Sequence, residues 1–271
     1  MKSNWLTTDT NQKETINFIK KSGFPYVVVV SNYTTQIISD ILNIRLMETV
    51  KSNMCFAAFA KIKSDVRKHP IPVLDKNYLQ YFDHNFKRDS YYPSVINIDL
   101  KSAYATALYN KGILSLGTFE YMSRLSKIDR LACLGMLASK KNYFNYNDKG
   151  ELTDHWKEVN PLENFFYHAV EIIQDVMNNI QILCGSNYLF TWVDGVYLQN
   201  DPDAIEEIGN YLKNEKYPYS IDTLHNFDVK IVNNKVKVEF LKGNEMKYFQ
   251  IPARSSILAR DFINFLTRPD S

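Results

Sequence analysis

The sequence predicts an α+β protein in which a mixed or antiparallel sheet is backed by helices. Three observations support this fold class. The stretch Asn187–Gln199 holds two β-forming runs around Asp194-Gly195, and Glu163–Cys184 repeats apolar residues at helical spacing. Two alternating runs, FDVKIV and KVKVEFL, follow nearer the C-terminal end. Periods of about 2 and about 3.6 residues in one chain indicate that strands and helices pack together.

The composition is that of a soluble globular protein. Of the 271 residues, 45% are hydrophobic and 23% are charged, with a net charge of +2. A near-neutral chain does not by itself indicate a nucleic-acid-binding protein, so any basic surface must be local. The polar N-terminus and the lack of an apolar run of roughly 20 residues predict no membrane partner and a cytoplasmic location, the host cytoplasm if the protein is viral.

Cysteine and histidine spacing excludes two common kinds of site. The three cysteines form no CxxC pair, and the five histidines form no HExxH motif. We therefore expect neither a disulfide framework nor a structural zinc site.

The sequence of the first 89 residues indicates a small α/β region. YVVVV at Tyr26–Val30 has the composition of a strand, and the following TTQIISDILNI has the spacing of a short amphipathic helix. From Lys61 to Arg88, seven basic residues stand against three acidic ones, with aromatic residues between them. This connector suits either contact with a phosphate backbone or a solvated surface.

Residues 90–252 are predicted to form the main domain. SVINIDL is a candidate buried strand that ends at Asp99, and KSAYATALYNKG is a candidate helix. Residues 123–141 have helical spacing and predict a short projecting helix, and MKYFQIP near the end is a third candidate strand. Residues 253–271 are expected to form a C-terminal tail.

Two aspartates stand where predicted strands end. Asp99 closes the first central strand, and Asp194 lies at the tip of the predicted hairpin, 95 positions later. An Asp-Gly pair is typical of a tight hairpin turn, since both residues tolerate a positive φ. Two carboxylates brought together at strand ends are also what a two-metal phosphoryl-transfer site requires.

The surrounding residues resemble the motifs of family B DNA polymerases. DLKSAYATAL resembles their motif A, DxxSLYPS, and FTWVDGVYL resembles motif C, YxDTDSVYL. RLACLGMLASK stands where motif B, KxxxNSxYG, is expected, with Arg130 at the basic position or Lys127 in a second register. GNEMKYFQIP is similar to the KxY strand. The four motifs follow the order of the family.

The sequence also departs from the family pattern. Trp192 replaces the first Asp of motif C, Gly195 replaces its Ser, and Ala105 replaces the Pro of motif A. The Asn-Ser-x-Tyr core of motif B is absent, and we expect neither an exonuclease region nor a thumb. The chain therefore resembles a reduced polymerase palm with very short fingers at about 123–141, nearest to the protein-primed branch of viruses and plasmids.

The resemblance implies a function and a set of site residues. Asp99 and Asp194 would be catalytic and would bind two Mg²⁺ ions, or Mn²⁺ in their place. The nucleotide-binding residues would be Ser102, Tyr104, Lys127 and Arg130, and the primer-binding residues Lys247 and Tyr248. The implied activity is DNA-directed DNA polymerase activity, with dNTP and a DNA primer-template as substrates, in replication of a phage or mobile element. A second protein would supply the thumb or clamp.

Each assignment has a structural alternative. Asp99 could cap a helix that begins at Lys101, and Asp194 could be only a turn residue. Tyr104 could belong to the core, Lys127 and Arg130 to a solvated helix face, and Lys247 and Tyr248 to an edge strand. The alternative function is a catalytically silent palm that serves as a binding or structural module in replication or virion assembly. A nuclease or primase-like enzyme is a third hypothesis.

Overall fold

The chain folds into two compact units, each assembled from two separate stretches. A computed structural model describes residues 5–6, 17–19, 21–49, 51–75, 79–233, 235–252 and 256–258. Unit 1 comprises Met1–Ile71 with Ser115–Phe166, and unit 2 comprises Pro72–Leu114 with Tyr167–Ser271. The domains predicted from the sequence are consecutive segments of the chain, whereas the structure groups the predicted fingers segment with the N-terminal stretch.

Runs of strands and runs of helices follow one another along the described residues. The strands are β1 (Trp5–Leu6), β2 (Tyr26–Val30), β3 (Thr34–Ser39), β4 (Ile44–Thr49), β5 (Gln80–His84), β6 (Ser90–Leu100), β7 (Lys140–Tyr146), β8 (Leu152–Val159), β9 (Tyr188–Trp192), β10 (Gly195–Gln199), β11 (Tyr219–Val232), β12 (Lys235–Lys242), β13 (Glu245–Pro252) and β14 (Ser256–Leu258). The helices are α1 (Asn53–Val66), α2 (Ala103–Asn110), α3 (Leu116–Ser123), α4 (Lys127–Gly135), α5 (Glu163–Cys184) and α6 (Pro202–Asn214).

The predicted α+β class is confirmed, because both units combine antiparallel strands with helices. In the connector, Lys76 and Tyr78 lie outside the described residues, as does most of the predicted tail. Among the helices of the described residues, none combines the length and apolar composition that crossing a membrane requires.

Unit 1 is built on a six-stranded sheet in the order β1-β4-β3-β2-β7-β8. Neighbouring strands are antiparallel except for β1 and β4, which are parallel. The valines of β2 lie opposite residues of both β3 and β7, so β2 is an interior strand. The β-branched composition of β2 suits this position.

The helix predicted over TTQIISDILNI is wrong. This stretch forms β3, a turn and the start of β4, with Asn43 at a φ of 51° in the turn. Thr34, Thr35, Ile37 and Ile38 are β-branched, and their pairing with β2 and β4 outweighs the helical spacing of the apolar residues. The periodicity could not reveal that partners flank this segment on both sides.

The helix predicted over 123–141 is also shorter than expected. Helix α4 covers only Lys127–Gly135, and Ser126 caps its N-terminus by accepting a hydrogen bond from the Asp129 amide. A 3₁₀ turn at Met136–Ala138 follows, and β7 then begins at Lys140. The apolar stripe continued past Gly135 in sequence, but the chain enters the sheet of unit 1 there.

A buried carboxylate joins two helices of unit 1. Asp65, near the end of α1, is 5% exposed and accepts hydrogen bonds from the Ser115 amide at 2.9 Å and hydroxyl at 2.7 Å. Ser115 is the N-cap of α3, and the Lys68 ammonium lies 2.9 Å from the other oxygen of Asp65. This carboxylate therefore fixes the start of α3 against the end of α1.

Unit 2 is built on an eight-stranded sheet in the order β13-β12-β11-β6-β10-β9-β5-β14, with every described pairing antiparallel. Strand β6 lies between β11 and β10, and Val95, Ile96 and Ile98 along it are each at most 5% exposed. Consecutive residues on a strand point to opposite faces, so both faces of β6 are covered.

The helices of unit 2 are tied to one another through side chains. The amide of Asn179 on α5 donates to the Tyr211 hydroxyl on α6 at 3.1 Å. Asn110, at the end of α2, donates to the main-chain oxygen of Glu215, just after α6. The predicted bounds of the long helix, Glu163–Cys184, agree with those of α5.

Replacement of Asp65 by Asn should destabilise the protein by about 1–3 kcal/mol at pH 7, since hydrogen bonds to a buried charged group are lost. Burial alone raises the pKa of Asp65, but hydrogen bonds from Thr118, Ser115 and Lys68 outweigh it and hold the pKa well below its ordinary value. The stabilisation is therefore complete above the unfolded-state pKa of about 4 and is lost as pH falls towards the folded-state value.

Urea unfolding of the wild type and D65N at pH 7 and at pH 3 measures this effect. The difference between the two proteins should shrink at the lower pH. D40N is the control, because the Asp40 side chain is 86% exposed and its ion pair with Arg45 should contribute little. An equal effect of both substitutions at pH 7 would contradict the assigned role of Asp65.

Candidate functional site

The pairing of β6 with β10 brings the two predicted aspartates together. Gly195 lies directly opposite Asp99, and the Leu100 amide donates to the main-chain oxygen of Asp194 at 3.0 Å. Residues 95 positions apart thus become neighbours on adjacent antiparallel strands. Both aspartates are partly exposed, at the end of the sheet where β6 leads into α2.

The hairpin between β9 and β10 differs from the predicted Asp-Gly turn. Trp192 pairs with Gly195, so the two loop residues are Val193 and Asp194. The positive φ, 57°, belongs to Val193. A β-branched residue in the left-handed region is strained by roughly 1–3 kcal/mol. The sequence predicts a positive φ at Asp194 and Gly195, one and two residues after the position where the structure has it.

Gly195 is needed for close approach to the carboxylate. A Cβ atom on Gly195 would lie 3.2 Å from Asp99 Oδ1, which is tighter than ordinary contact, and 3.4 Å from Asn97 Oδ1. The absence of a side chain at this position leaves room for the two oxygen atoms. A Ser, as in the family motif, would bring its own Cβ into this space.

Several polar residues share one face of the sheet with Asp99. Residues directly opposite on antiparallel strands share a face, and so do alternate residues along one strand. By this rule the carboxylate face contains Asn97, Asp99, Trp192, Gly195, Tyr197, Ser220 and Asp222. Asn97, Tyr197 and Asp222 were not predicted as site residues, although the alternation of a strand that ends at Asp99 identifies Asn97.

The pKa of Tyr197 is raised by its surroundings on this face. Burial is the largest cause that raises the pKa of its phenol, and the nearby Asp99, Asp194 and Asp222 carboxylates raise it further. Tyr197 therefore remains a neutral hydroxyl at any physiological pH. Asp222 is paired with the Lys242 ammonium at 2.8 Å, which partly neutralises it.

Aromatic rings also lie on the carboxylate face. Trp192 on β9 stacks on Phe249 of β13, with ring centroids 5.5 Å apart, and Phe190 stacks on Tyr197 at 4.0 Å. In a flat sheet, β9 and β13 would be separated by five strand spacings, or about 24 Å. The sheet therefore curls strongly, and the carboxylate face is its concave side.

The residues after Asp99 form an irregular turn into α2. Ser102 is the N-cap at a φ of 56°, and its side chain makes no capping hydrogen bond. Asp99 belongs to β6, three residues before this cap, so the alternative that Asp99 caps a helix beginning at Lys101 is wrong. Tyr104, in the first turn of α2, is 8% exposed.

Lys127 and Arg130 belong to unit 1, on α4. Lys127 is the exposed first residue of this helix. The Arg130 guanidinium donates to the main-chain oxygens of Leu125 at 3.1 Å and Ser123 at 3.3 Å. Within unit 1, Arg130 thus binds carbonyl groups at the end of α3.

Lys247 and Tyr248 are consecutive on β13 and point to opposite faces. Lys247 alternates with Phe249 and therefore lies on the concave side, where it pairs with the Glu245 carboxylate. Tyr248 is 76% exposed on the convex side, opposite Glu239. Of the two predicted primer-binding residues, only Lys247 shares the face of the carboxylates.

The donor atoms on the carboxylate face fit a hard divalent cation. Carboxylate, amide and main-chain oxygens are the ligands that Mg²⁺ and Mn²⁺ prefer. Asp99 and Asp194 supply carboxylates, and the buried Asn97 Oδ1 has no hydrogen-bond partner in the part of the chain that the structure describes. Within the described ranges, no three or more His, Cys, Asp or Glu residues gather to hold a metal. A cation here would need amide, water or substrate oxygens in addition.

Comparison with known proteins does not identify a family. No family model matches the sequence, and neither does any curated protein.

Replacement of Val193 by Asn should stabilise the protein by about 1 kcal/mol, since Asn tolerates the left-handed region that Val193 occupies. The midpoint of urea unfolding measures this change. V232N is the matched control, because Val232 lies at the end of a strand and is 44% exposed. That substitution should be neutral or destabilising. Equal destabilisation by both would show that Val193 is not strained.

Proposed function

We propose that this protein is a nucleotidyltransferase that resembles family B DNA polymerases. It would transfer the nucleotidyl group of a dNTP to a primer 3′-hydroxyl, with release of pyrophosphate, during replication of a phage or mobile element. The observation that supports this proposal is the register between β6 and β10. It sets Gly195 opposite Asp99, so Asp194 lies next to the end of β6. Two carboxylates at one strand end are the arrangement that this chemistry requires.

The two carboxylates would hold Mg²⁺, or Mn²⁺, together with the phosphates of the nucleotide. When bound, these ions lower the pKa of the attacking hydroxyl and neutralise charge on the leaving pyrophosphate. Strand pairing fixes the backbone of Asp99 on β6, and a two-residue loop fixes that of Asp194. Both carboxylates would therefore be positioned before a substrate binds. Preorganised charge of this kind does not have to rearrange during the reaction.

The other residues of the concave face would position DNA. Trp192 and Phe249 offer stacked aromatic surface beside the carboxylates. Lys247 lies on the same face and can contact a phosphate.

Nucleotide binding by Ser102, Tyr104, Lys127 and Arg130 remains part of the proposal. Ser102 and Tyr104 follow Asp99 by three and five residues in the turn and helix that leave β6. Lys127 lies exposed at the start of α4, where a lysine can bind triphosphate oxygens. A second protein would supply the grip on the duplex that a thumb provides in larger polymerases.

Primer extension at low salt with Mg²⁺ tests the proposal. Replacement of Asp99 or Asp194 by Asn should lower the rate by roughly 10³-fold or more, since a cation ligand is lost without a change in shape. D203N is the matched control, because Asp203 is an exposed aspartate of the same unit on α6. It should extend as the wild type does.

Two outcomes would decide against this function. If wild type and D194N extend equally, the activity does not depend on the site. If folded wild type binds DNA or a protein but extends no primer with either cation, the palm serves as a binding module. Trp192 in place of a carboxylate is the observation that favours this second candidate function.

Lys247 and Tyr248 should differ in their effect on DNA affinity. Replacement of Lys247 by Gln should weaken primer-template binding and reduce the salt dependence of log K by about 1, because one phosphate contact is lost. Replacement of Tyr248 by Ser should change little, since its ring lies on the convex face. Fluorescence anisotropy at several salt concentrations measures both.

K213Q is the control for general charge loss, as Lys213 lies at the exposed end of α6. If K213Q and K247Q behaved alike, DNA would not be bound on the concave face.

A further inference from the structure

Asn97 is a buried amide next to the candidate site. It is 7% exposed and lies two positions before Asp99 on β6, so both side chains emerge on the carboxylate face. Its Oδ1 atom has no hydrogen-bond partner among the described residues. Buried side-chain oxygens are nearly always paired, so this atom requires a physical explanation.

Asn97 Oδ1 and the Asp99 carboxylate meet above Gly195. A Cβ atom on Gly195 would lie 3.4 Å from Asn97 Oδ1 and 3.2 Å from Asp99 Oδ1. The main-chain oxygen of Trp192 lies 3.6 Å from the same point. Three oxygen atoms therefore surround one small space, with acceptor beside acceptor. Such a space attracts a positive charge.

The neighbouring side chains do not pair with this oxygen. Tyr197 and Asp222 are the residues directly opposite Asn97 on β10 and β11. Neither donates a hydrogen bond to Oδ1. Asp222 is itself an acceptor, and its carboxylate binds the Lys242 ammonium at 2.8 Å. Since no described residue pairs with Oδ1, a ligand that enters the site would explain the orientation of Asn97.

We propose that Asn97 Oδ1 is an oxygen ligand of a divalent cation held by Asp99 and Asp194. The inference rests on the proposed function, because it adds one ligand to the same site. An amide oxygen is a hard, uncharged donor of the kind found in many Mg²⁺ and Ca²⁺ sites. With Trp192 in place of a third carboxylate, Asn97 adds a ligand without adding negative charge.

A Mn²⁺ titration followed by electron paramagnetic resonance tests this inference without DNA or nucleotide. Free Mn²⁺ is measured against wild type, N97L, N97S, N97D and D99N. N97L and N97S should bind Mn²⁺ roughly tenfold more weakly or worse, as a ligand oxygen is lost. N97D should bind more tightly, because a second acidic group then faces Asp99.

Thermal unfolding of N97D provides a second signature. Without a divalent cation, two carboxylates beside each other should repel, and N97D should melt below the wild type. Mn²⁺ should raise the melting temperature of N97D by more than it raises that of the wild type. An Asn with a purely structural role would give no such cation-dependent rescue.

T191V is the matched control for loss of a buried polar group. Thr191 is also 7% exposed, but it lies on the opposite face of β9 from Trp192. T191V should bind Mn²⁺ as the wild type does. Far-UV circular dichroism confirms that each variant is folded, and N97S keeps the test valid if the larger Leu disrupts packing.

The outcomes separate this inference from the proposed function. If folded N97L and N97S bind Mn²⁺ as tightly as the wild type, while D99N loses both binding and primer extension, Asn97 is not a ligand although the proposed function stands. Absence of Mn²⁺ binding by the wild type also overturns the inference. If the Asn97 variants weaken binding but the wild type extends no primer, the cation site stands and the polymerase function fails.

Discussion

The register between β6 and β10 is the constraint on which the candidate site depends. The period of side chains along a strand is two, so a slip of one residue would set Val196 opposite Asp99 and turn Tyr197 to the other face. Ile98 and Val196 are opposite each other and buried on the reverse side, so such a slip would expose core residues. The apolar core thus fixes the polar site on the other face.

Backbone strain lies on both sides of the paired carboxylates. Val193 immediately precedes Asp194, and Ser102 follows Asp99 by three residues; both have positive φ values, 57° and 56°. Strain of this kind persists only where the surrounding structure overdetermines the conformation. Here the two-residue loop and the turn into α2 are each anchored to β6 or β10. At this end of the sheet the chain therefore adopts a fixed backbone conformation that lowers the stability of the folded protein.

Much of the fold could be predicted from local pattern, and the site only in part. The bounds of α5 and the pairing of β9 with β10 follow from periodicity, although the loop of this hairpin is Val193-Asp194 and not Asp194-Gly195. The segment at 34–44 was predicted as a helix because its apolar spacing fits both periods, and only the flanking strands decide between them. The proximity of Asp99 and Asp194 follows from the motifs and from the predicted strand ends, and their role as site residues stays a prediction.

The alternation of β6 puts Asn97 on the face of Asp99, but its role could not be predicted, because that role depends on burial and on an oxygen atom that has no hydrogen-bond partner among the described residues. No residue pattern specifies whether a buried amide finds a partner. Lys247 and Tyr248 are both predicted to bind the primer, but they cannot do so from one face of the sheet. Consecutive residues of a strand point to opposite faces, so a motif that is contiguous in sequence is divided between the two sides of β13.

Trp192, where the polymerase motif has an aspartate, lowers the negative charge of the site and adds an aromatic contact to β13. An aspartate at this position would add a carboxylate to a face where Asp99, Asp194 and Asp222 already raise the pKa of Tyr197. The indole instead stacks on Phe249 and so links the hairpin to β13. Fewer carboxylates weaken the attraction for a cation, while an aromatic cover lowers the local dielectric and strengthens each remaining interaction. A site with two carboxylates and a neutral amide is therefore consistent with cation binding when the aromatic cover excludes water from one side.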